Sequence, residues 1–195
     1  MKNIKIAITG GIGSGKTALI NLIKEMGYPV FSCDEICREL YKKRKVLKKI
    51  KTLFPTAIKG KVFLKADKKE ISRLTFADEK KNQSLKELLH PLIMESLIKN
   101  MDKRAGLTFG EVPLLFEGGF EKDFDRVIVV KRDREKRIDG VNKRSNLTRE
   151  ETENIMLSQV DYDSLDLSPY IVIENNGSLE DLKEKLSRII REILK

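Results

Sequence analysis

The sequence has few of the residues that build disulfide frameworks or metal sites. Its 195 residues include two cysteines, Cys33 and Cys37, and one histidine, His90. These three residues cannot supply the four ligands of a standard structural zinc site. Two free thiols are the simpler interpretation, and free thiols are typical of a reducing compartment. We therefore expect a cytoplasmic location.

Long apolar runs and tryptophan are also missing. No apolar run approaches the roughly 20 residues of a membrane-spanning helix. Residues 1–9 carry two lysines and lead into glycines rather than into a signal-peptide cleavage site. These features predict no membrane partner. The lack of tryptophan and an aromatic content of 6% leave little surface for stacking on bases, which argues against a nucleic-acid partner.

Basic residues outnumber acidic ones. The formal net charge is +9, with 39 lysines and arginines against 30 aspartates and glutamates. A basic surface suits an anionic partner, which could be a nucleic acid or a phosphorylated small molecule. Basic residues are dense at 42–51 and 131–144. We interpret the first stretch as a solvated helix face, since charge runs usually are.

Short apolar runs alternate along the chain with segments of helical spacing. This alternation predicts an α/β fold with a parallel sheet covered on both faces. A small hairpin is expected around 59–61, and the pair His90-Pro91 is expected to interrupt a helix, because proline lacks the N–H group. The predicted strands are 5–9, 28–31, 110–117, 125–130 and 170–173, and the predicted helices are 16–26, 34–51, 68–76, 78–103, 133–141, 148–160 and 178–194.

Residues 10–17 read GGIGSGKT and match the pattern G-x-x-x-x-G-K-[ST]. We call this segment the phosphate loop. Its glycines permit backbone angles that aim successive N–H groups at one anion, and the following helix adds its positive end. Lys16 can reach the β- and γ-phosphates, and the Thr17 hydroxyl can bind Mg²⁺. The segment predicts a three-layer P-loop NTPase fold with a five-stranded parallel sheet.

Two acidic residues follow predicted strands, at the edge of the sheet where ligands bind. Asp34 could take the proton of an attacking hydroxyl and hold hydrated Mg²⁺, or it could cap the helix that starts there. Glu117 could reach Mg²⁺ through water or bind substrate, or it could be a solvated loop acid. The sequence argues against a GTPase, because the nearest match to N-K-x-D is Asn142-Lys143-Arg144-Ser145, which lacks the aspartate and follows a predicted helix.

Several segments together resemble the dephospho-CoA kinase family of P-loop kinases. They occur in the family's order and spread over nearly the whole chain. The phosphate loop is shared widely, whereas the H-P, P-L-L-F-E and N-N-G-S-L-E segments are far more specific. The matching segments are 8–17 (ITGGIGSGKT), 33–38 (CDEICR), 89–93 (LHPLI), 112–117 (VPLLFE), 147–151 (LTREE) and 175–180 (NNGSLE), with Arg137 and Arg144.

The resemblance implies transfer of the γ-phosphate of ATP to the 3′-hydroxyl of dephospho-CoA, the last step of coenzyme A synthesis. It implies ATP and Mg²⁺ as co-substrate and metal, and Asp34, Lys16 and Arg144 as catalytic residues. Thr17 would bind Mg²⁺, and Asp34 would do so through water. The implied nucleotide-binding residues are Gly11, Gly13, Ser14, Gly15, Lys16, Thr17, Ala18, Arg137, Asn175, Asn176 and Gly177, and the implied acceptor-side residues are Asp34, His90, Pro91 and Glu117.

The resemblance also implies a division of the single domain. The core would comprise 1–52, 104–132 and 161–195, with a CoA-binding helical insertion at 53–103 and a lid at 133–160. The partners are then dephospho-CoA and ATP, and the expected state is a monomer or weak oligomer. His90 could instead have a simpler role as a buried histidine bonded to nearby backbone.

Three positions depart from the family pattern. Ser32 replaces the first aspartate of D-A-D, Ser145 replaces the aspartate after the lid arginine, and 160–166 lacks an expected basic residue. These departures leave room for a nucleotide-binding regulator with a degenerate site. The phosphate loop is also compatible with a nucleoside or nucleotide kinase of similar fold, or with a nucleic-acid-stimulated ATPase.

Overall fold

The computed structural model describes residues 3–60, 63–145 and 147–195. The chain divides into two compact units. The first unit combines the chain up to Val30 with the chain from Met101 onward, and the second spans Phe31–Asn100. The strands are β1 (Ile4–Thr9), β2 (Val30–Ser32), β3 (Ile58–Lys59), β4 (Lys65–Ala66), β5 (Leu107–Glu111), β6 (Arg126–Lys131) and β7 (Ile171–Glu174).

The helices lie between these strands in the alternation that the sequence predicts. Short 3₁₀ turns occur at Pro55–Ala57 and Glu121–Asp123. The α-helices are α1 (Lys16–Glu25), α2 (Cys33–Leu40), α3 (Arg44–Leu53), α4 (Lys68–Ala77), α5 (Glu79–Asp102), α6 (Leu115–Gly118), α7 (Arg134–Ser145), α8 (Arg149–Leu157) and α9 (Leu179–Ile193).

Five strands form one sheet in the order β2-β5-β1-β6-β7. Strand β1 pairs in parallel with β5 and β6, and β6 pairs in parallel with β7. The central strand β1 is buried from Ile6 to Ile8, as expected for a strand covered on both sides. Helices α1 and α9 add Leu19 and Leu186 to the same core cluster. The predicted α/β fold with a five-stranded parallel sheet is confirmed.

The second unit is mainly helical and has a core of its own. Residues Leu47, Ile50 and Phe54 are at most 2% exposed and pack with Ile58 of the short hairpin β3–β4. That hairpin is antiparallel and pairs Ile58 with Ala66. The sequence predicts a hairpin around 59–61, and residue 61 lies outside the described residues.

One predicted helix is two helices in the structure. The segment 34–51 divides into α2 and α3, separated by a turn at Tyr41–Lys43. Lys43 is extended, with φ −81° and ψ 119°, and it precedes the first residue of α3. The turn brings Leu40 of α2 and Leu47 of α3 into the same cluster. Apolar spacing identifies both helices but carries no signal for the break between them.

The predicted interruption at His90-Pro91 is wrong. Helix α5 runs without a break for 24 residues and contains Pro91. Proline removes one hydrogen bond from a helix, but buried residues on both sides of it, Leu89 and Leu97, hold the segment in place. Among the described residues, no helix combines the length and apolar character needed to cross a membrane, α5 included.

The predicted strand at 110–117 is also misplaced. Strand β5 ends at Glu111, and residues 115–118 form the short helix α6. A short apolar run such as VPLLF cannot be assigned to strand or buried helix by periodicity alone. Pro113 has no N–H group to continue a ladder, and Leu115 is fully buried from its helical position.

Helices α7 and α8 pack together as a hairpin, which we call the α7–α8 hairpin. A capping box lies at the start of α8, with the Thr148 side chain bonded to the Glu151 N–H group and the reciprocal bond present. Arg149 makes a two-pronged hydrogen bond to Glu135 at 2.8 and 2.9 Å. Arg134 bonds to Glu153 at 2.9 Å. These pairs join the two helices across the turn.

Helix α9 begins with a second capping box, which yields a stability prediction. Ser178 Oγ accepts from the Asp181 N–H group, and the Asp181 carboxylate accepts from the Ser178 N–H group. Replacing Ser178 by alanine should lower the free energy of unfolding by about 1 kcal/mol, because a helix-end donor loses its partner. Urea unfolding followed by circular dichroism measures this change.

The control for this substitution is Ser187→Ala within the same helix. Ser187 bonds back to the Lys183 carbonyl and caps no helix end. Its replacement should change stability by less than about 0.5 kcal/mol, because alanine is a strong helix former. Equal losses for the two variants would contradict the capping role of Ser178.

Candidate active site

The phosphate loop turns sharply between β1 and α1. Gly10, Gly13 and Gly15 have φ values of 146°, 76° and 94°, which other residues rarely adopt. Gly15 is the residue before α1, and Lys16 is its first residue. The backbone N–H groups of the first turn of α1 therefore lie at the end of the loop, as anion binding at a helix start requires.

One side chain of the loop bonds to the loop's own backbone, and another is buried. Lys16 Nζ donates to the carbonyl oxygens of Gly10 and Gly11, the second at 3.0 Å. Ser14 is 1% exposed, and its hydroxyl has no hydrogen-bond partner among the described residues. A buried polar group without a partner is costly. A loop with a buried hydroxyl and a lysine amine fits a phosphate group.

Two consecutive residues after β7 bond to the phosphate loop and to Asp133, the residue before α7. Asn175 Nδ2 donates to the Ser14 carbonyl at 2.9 Å. The Asp133 N–H group donates to Asn176 Oδ1 at 2.9 Å, and Asn176 Nδ2 donates to the Asp133 carboxylate at 2.6 Å. Gly177 comes next and leads into the capping box of α9. Of the predicted residues 175–177, the structure thus brings Asn175 into contact with the loop.

The α7–α8 hairpin contacts the loop at Ile12. Arg137 Nε donates to the Ile12 carbonyl at 2.9 Å. The Ile12 N–H group donates to Gln159 Oε1 at 2.8 Å. A Cβ atom at Gly11 would collide with Arg137 Nη2. Arg137 therefore lies against the loop itself.

The segment after Gln159, which lacks the family's basic residue, also reaches this region. Tyr162 is 6% exposed, and its hydroxyl lies 3.1 Å from Thr9 Oγ1. Burial raises the pKa of the Tyr162 phenol. Burial lowers the pKa of the Arg137 guanidinium, and the nearby carboxylate of Asp163 opposes that shift. Asp163 also pairs with Lys131 at 2.7 Å.

The two acidic candidates occupy different elements. Asp34 is exposed in the first turn of α2, and Ser32 is the residue at the N-cap position, so the interpretation of Asp34 as the cap is wrong. The helix begins one residue earlier than the sequence suggests. Glu117 is exposed on α6, and its Oε1 accepts from the Val160 N–H group at 3.1 Å.

The remaining candidates are not among the residues that make the loop contacts given above. His90 is half-buried and Pro91 is exposed, both on α5 in the second unit, which also contains Asp34. Arg144 is exposed in the last turn of α7. Among the described residues, it makes no hydrogen bond to the phosphate loop. The structure therefore gathers the loop, Arg137 and residues 175–177 in the first unit.

Sequence reasoning missed two residues of this arrangement. Gln159 and Tyr162 lie in or next to the segment 160–166, which the sequence analysis noted only for the basic residue that it lacks. Their common signal is proximity to the loop in space, which neither spacing nor composition reveals.

A glycine loop with a lysine, set between a buried parallel strand and a helix in this fold, defines the class of P-loop NTPase folds. Solved structures agree with this fold: shikimate kinase from Bacteroides thetaiotaomicron has a TM-score of 0.55 and 12% identity over 98% of this chain and 99% of that one. The family model for dephospho-CoA kinase matches residues 4–181. The chain belongs to the dephospho-CoA kinase family.

Individual relatives support the same assignment. Dephospho-CoA kinase from Thermus thermophilus is 34% identical over 191 residues, covering 97% of this chain and 92% of the relative. The enzyme from Arabidopsis thaliana is 30% identical over 96% of this chain and 83% of its own length. The solved dephospho-CoA kinase from Campylobacter jejuni has a TM-score of 0.71 and 27% identity, over 99% of this chain and 98% of that one.

The single histidine gives a test of its environment. Burial, and to a lesser extent the charge of Lys86, lowers the pKa of His90 below 6.5. The imidazole therefore binds a proton more readily in the unfolded protein than in the folded one. Its contribution to the free energy of unfolding is present above about pH 6.5 and is lost as the pH falls through the folded pKa. A proton NMR titration of the imidazole should have its midpoint below 6.5.

The matched variant is His90→Gln. Between pH 7 and pH 5, it should lose less stability than the wild type in urea unfolding, because the titrating group is gone. If the stability of the two proteins depended on pH in the same way, or if the imidazole titrated with a midpoint above 6.5, the lowered pKa of His90 would be contradicted.

Proposed function

We propose that this chain transfers the γ-phosphate of ATP to the 3′-hydroxyl of the dephospho-CoA ribose, producing coenzyme A and ADP. The observation that carries the proposal is the phosphate loop, whose geometry fits a nucleotide phosphate in a chain of the dephospho-CoA kinase family. The reaction requires neutralisation of charge on the moving phosphoryl group and alignment of two oxygens.

The phosphate-binding set is the backbone and side chains of residues 11 and 13–18. The N–H groups of the loop and of the first turn of α1 bind the β- and γ-phosphates. Lys16 exchanges the carbonyls of Gly10 and Gly11 for phosphate oxygens when ATP binds, and the buried Ser14 hydroxyl gains an acceptor. Ala18 contributes its backbone in the first turn of α1.

Magnesium is the metal of this proposal. Mg²⁺ is commonly held by one or two protein oxygens together with substrate phosphates and water. The exposed hydroxyl of Thr17, next to Lys16, suits such a role, and Asp34 acts through water. No group of three or more histidine, cysteine or acidic residues in the described part of the chain forms a metal cage. When bound, the ion would neutralise charge on the phosphates.

Asp34 is the proposed general base. Its carboxylate is exposed and does not occupy the cap position of α2, which leaves it available to a bound hydroxyl. Taking the proton of the ribose 3′-hydroxyl makes that oxygen a better nucleophile. The leaving group is ADP.

The remaining roles divide between nucleotide and acceptor. Asn175, Asn176 and Gly177 line the adenine side, and Arg137 and Arg144 neutralise phosphate charge from the α7–α8 hairpin. His90, Pro91 and Glu117 bind the acceptor. We assign the lid to 133–160, the CoA-binding insertion to 53–103 and the core to the rest of the chain.

We further propose that the chain acts in the cytoplasm. Its cysteines, Cys33 and Cys37, are not joined in a disulfide, although they lie four residues apart on one helix. Thiols in this state suit a reducing compartment. A chain in that compartment also meets ATP, its proposed co-substrate.

The direct test is mass spectrometry of dephospho-CoA incubated with the protein and Mg-ATP. We expect one added phosphate, at the 3′ position. Lys16→Ala should reduce turnover by at least about a hundredfold, because the lysine stabilises charge that develops in the transition state. Lys24→Ala, an exposed lysine of the same helix, is the matched control and should retain wild-type activity.

Two results would contradict this proposal. One is phosphate found on a nucleoside or nucleotide but never on dephospho-CoA. The other is near wild-type turnover by Lys16→Ala, provided that circular dichroism shows an unchanged fold.

Asp34→Asn tests the proposed base separately. Asparagine keeps the shape and removes the carboxylate, so kcat should fall by about a hundredfold or more while ATP affinity changes little. Glu35→Gln, a neighbouring exposed acid in the same helical turn, is the control and should leave kcat unchanged. An unchanged kcat in Asp34→Asn would remove Asp34 from the mechanism.

A further inference from the structure

We propose that Gln159 is a positioning residue of the phosphate loop. Together with Arg137, it holds Ile12 from both sides and ties the shape of the loop to both ends of the α7–α8 hairpin. The inference rests on the proposed function, because a loop of fixed shape is useful where it binds a polyphosphate.

The two hydrogen bonds act on a single residue of the loop. The Ile12 N–H group donates to Gln159 Oε1 at 2.8 Å, and the Ile12 carbonyl accepts from Arg137 Nε at 2.9 Å. The peptide units on both sides of Ile12 are therefore fixed in orientation. The partners lie 147 and 125 residues further along the chain.

Ile12 occupies the point where the loop packs against α7. The next residue, Gly13, lies so close that a Cβ atom there would be 2.6 Å from the Arg137 carbonyl oxygen. The proposed phosphate-binding set contains residues 11 and 13–18 but omits residue 12, so the Ile12 N–H group is not part of it. Gln159 satisfies that donor without competing with a phosphate.

Gln159 is itself held in place. It follows Ser158, the C-cap residue of α8, and its N–H group donates to the Met156 carbonyl at 3.3 Å. The next residue, Val160, donates to Glu117 Oε1 at 3.1 Å. The side chain therefore reaches the loop from a backbone that is bonded on both sides.

The chemistry of glutamine suits this place. Its amide oxygen accepts a hydrogen bond but carries no charge. A glutamate could accept the same bond, but its charge would repel the phosphates of a bound nucleotide. A neutral acceptor fixes the loop without weakening the field that Lys16 and Arg137 create.

The effect of the bond should appear in nucleotide affinity. When Gln159 no longer orders the loop, the nucleotide must order it on binding, and that cost lowers the affinity. Gln159→Met keeps a similar side-chain length and removes the acceptor. We expect Kd for Mg-ADP, and KM for ATP, to rise about fivefold, the equivalent of one hydrogen bond of about 1 kcal/mol. KM for dephospho-CoA and kcat should change less than twofold, because the loss is one of uniform nucleotide binding.

Isothermal titration calorimetry with Mg-ADP measures this change without the acceptor. It can therefore fail or succeed independently of the proposed phosphoryl transfer. Ser158→Ala is the matched control, since its exposed hydroxyl bonds to the Ile155 carbonyl and lies one residue before Gln159. Its Kd should equal that of the wild type. An unchanged Kd in Gln159→Met, or an equal rise in both variants, would overturn the proposal.

Hydrogen exchange at the Ile12 amide supplies a direct second readout, measured by NMR on the nucleotide-free protein. This amide should be protected in the wild type, in Ser158→Ala and in Gln159→Glu, which keeps an acceptor oxygen. It should exchange at least about fivefold faster in Gln159→Met. Rapid exchange of the Ile12 amide in the wild type would overturn the proposal. This outcome does not depend on whether the variants fold.

Discussion

At Gly10 and Gly15, the backbone of the phosphate loop lies so close to distant parts of the chain that a side chain would collide with them, and the shape of the loop depends on this close approach. A Cβ atom at Gly10 would collide with the Val130 carbonyl, and one at Gly15 with Asn175 Nδ2. Glycine removes these collisions and also supplies the left-handed backbone angles. The same glycines thus permit both the backbone angles of the loop and its close packing against the rest of the chain.

Much of the fold could be predicted from the sequence, because its signals are local. The buried run at Ile4–Thr9 predicts the central strand, and the apolar spacing of Leu182, Leu186 and Ile190 predicts α9. The capping box at Thr148 marks the start of α8 within one residue. Each of these features requires only neighbours in sequence.

The errors share a physical cause, which is that tertiary packing overrides local preference. Burial on both sides of Pro91 keeps α5 continuous despite the proline. The run at 112–116 is equally apolar as a strand or as a helix, and Leu115 is buried in the helical form. The turn at Tyr41–Lys43 allows two helices to join one cluster. Sequence spacing describes none of these neighbours.

The candidate site is less predictable than the fold. The pattern of residues 10–17 identifies the loop, since its residue types are fixed by phosphate chemistry. It leaves open what surrounds the loop, because Gln159 and Asn175 reach it from 147 and 161 residues away. An amide side chain that supports a backbone has no signature of its own in a sequence.

The anchoring of the α7–α8 hairpin couples its position to the shape of the phosphate loop. Its start is bonded to Asn176 through Asp133 and to Ile12 through Arg137. Its other end is bonded to Ile12 through Gln159. One loop residue thus connects both ends of the hairpin. A displacement of the hairpin as a rigid body would break these bonds or carry Ile12 with it, so a change in either the loop or the hairpin is transmitted to the other.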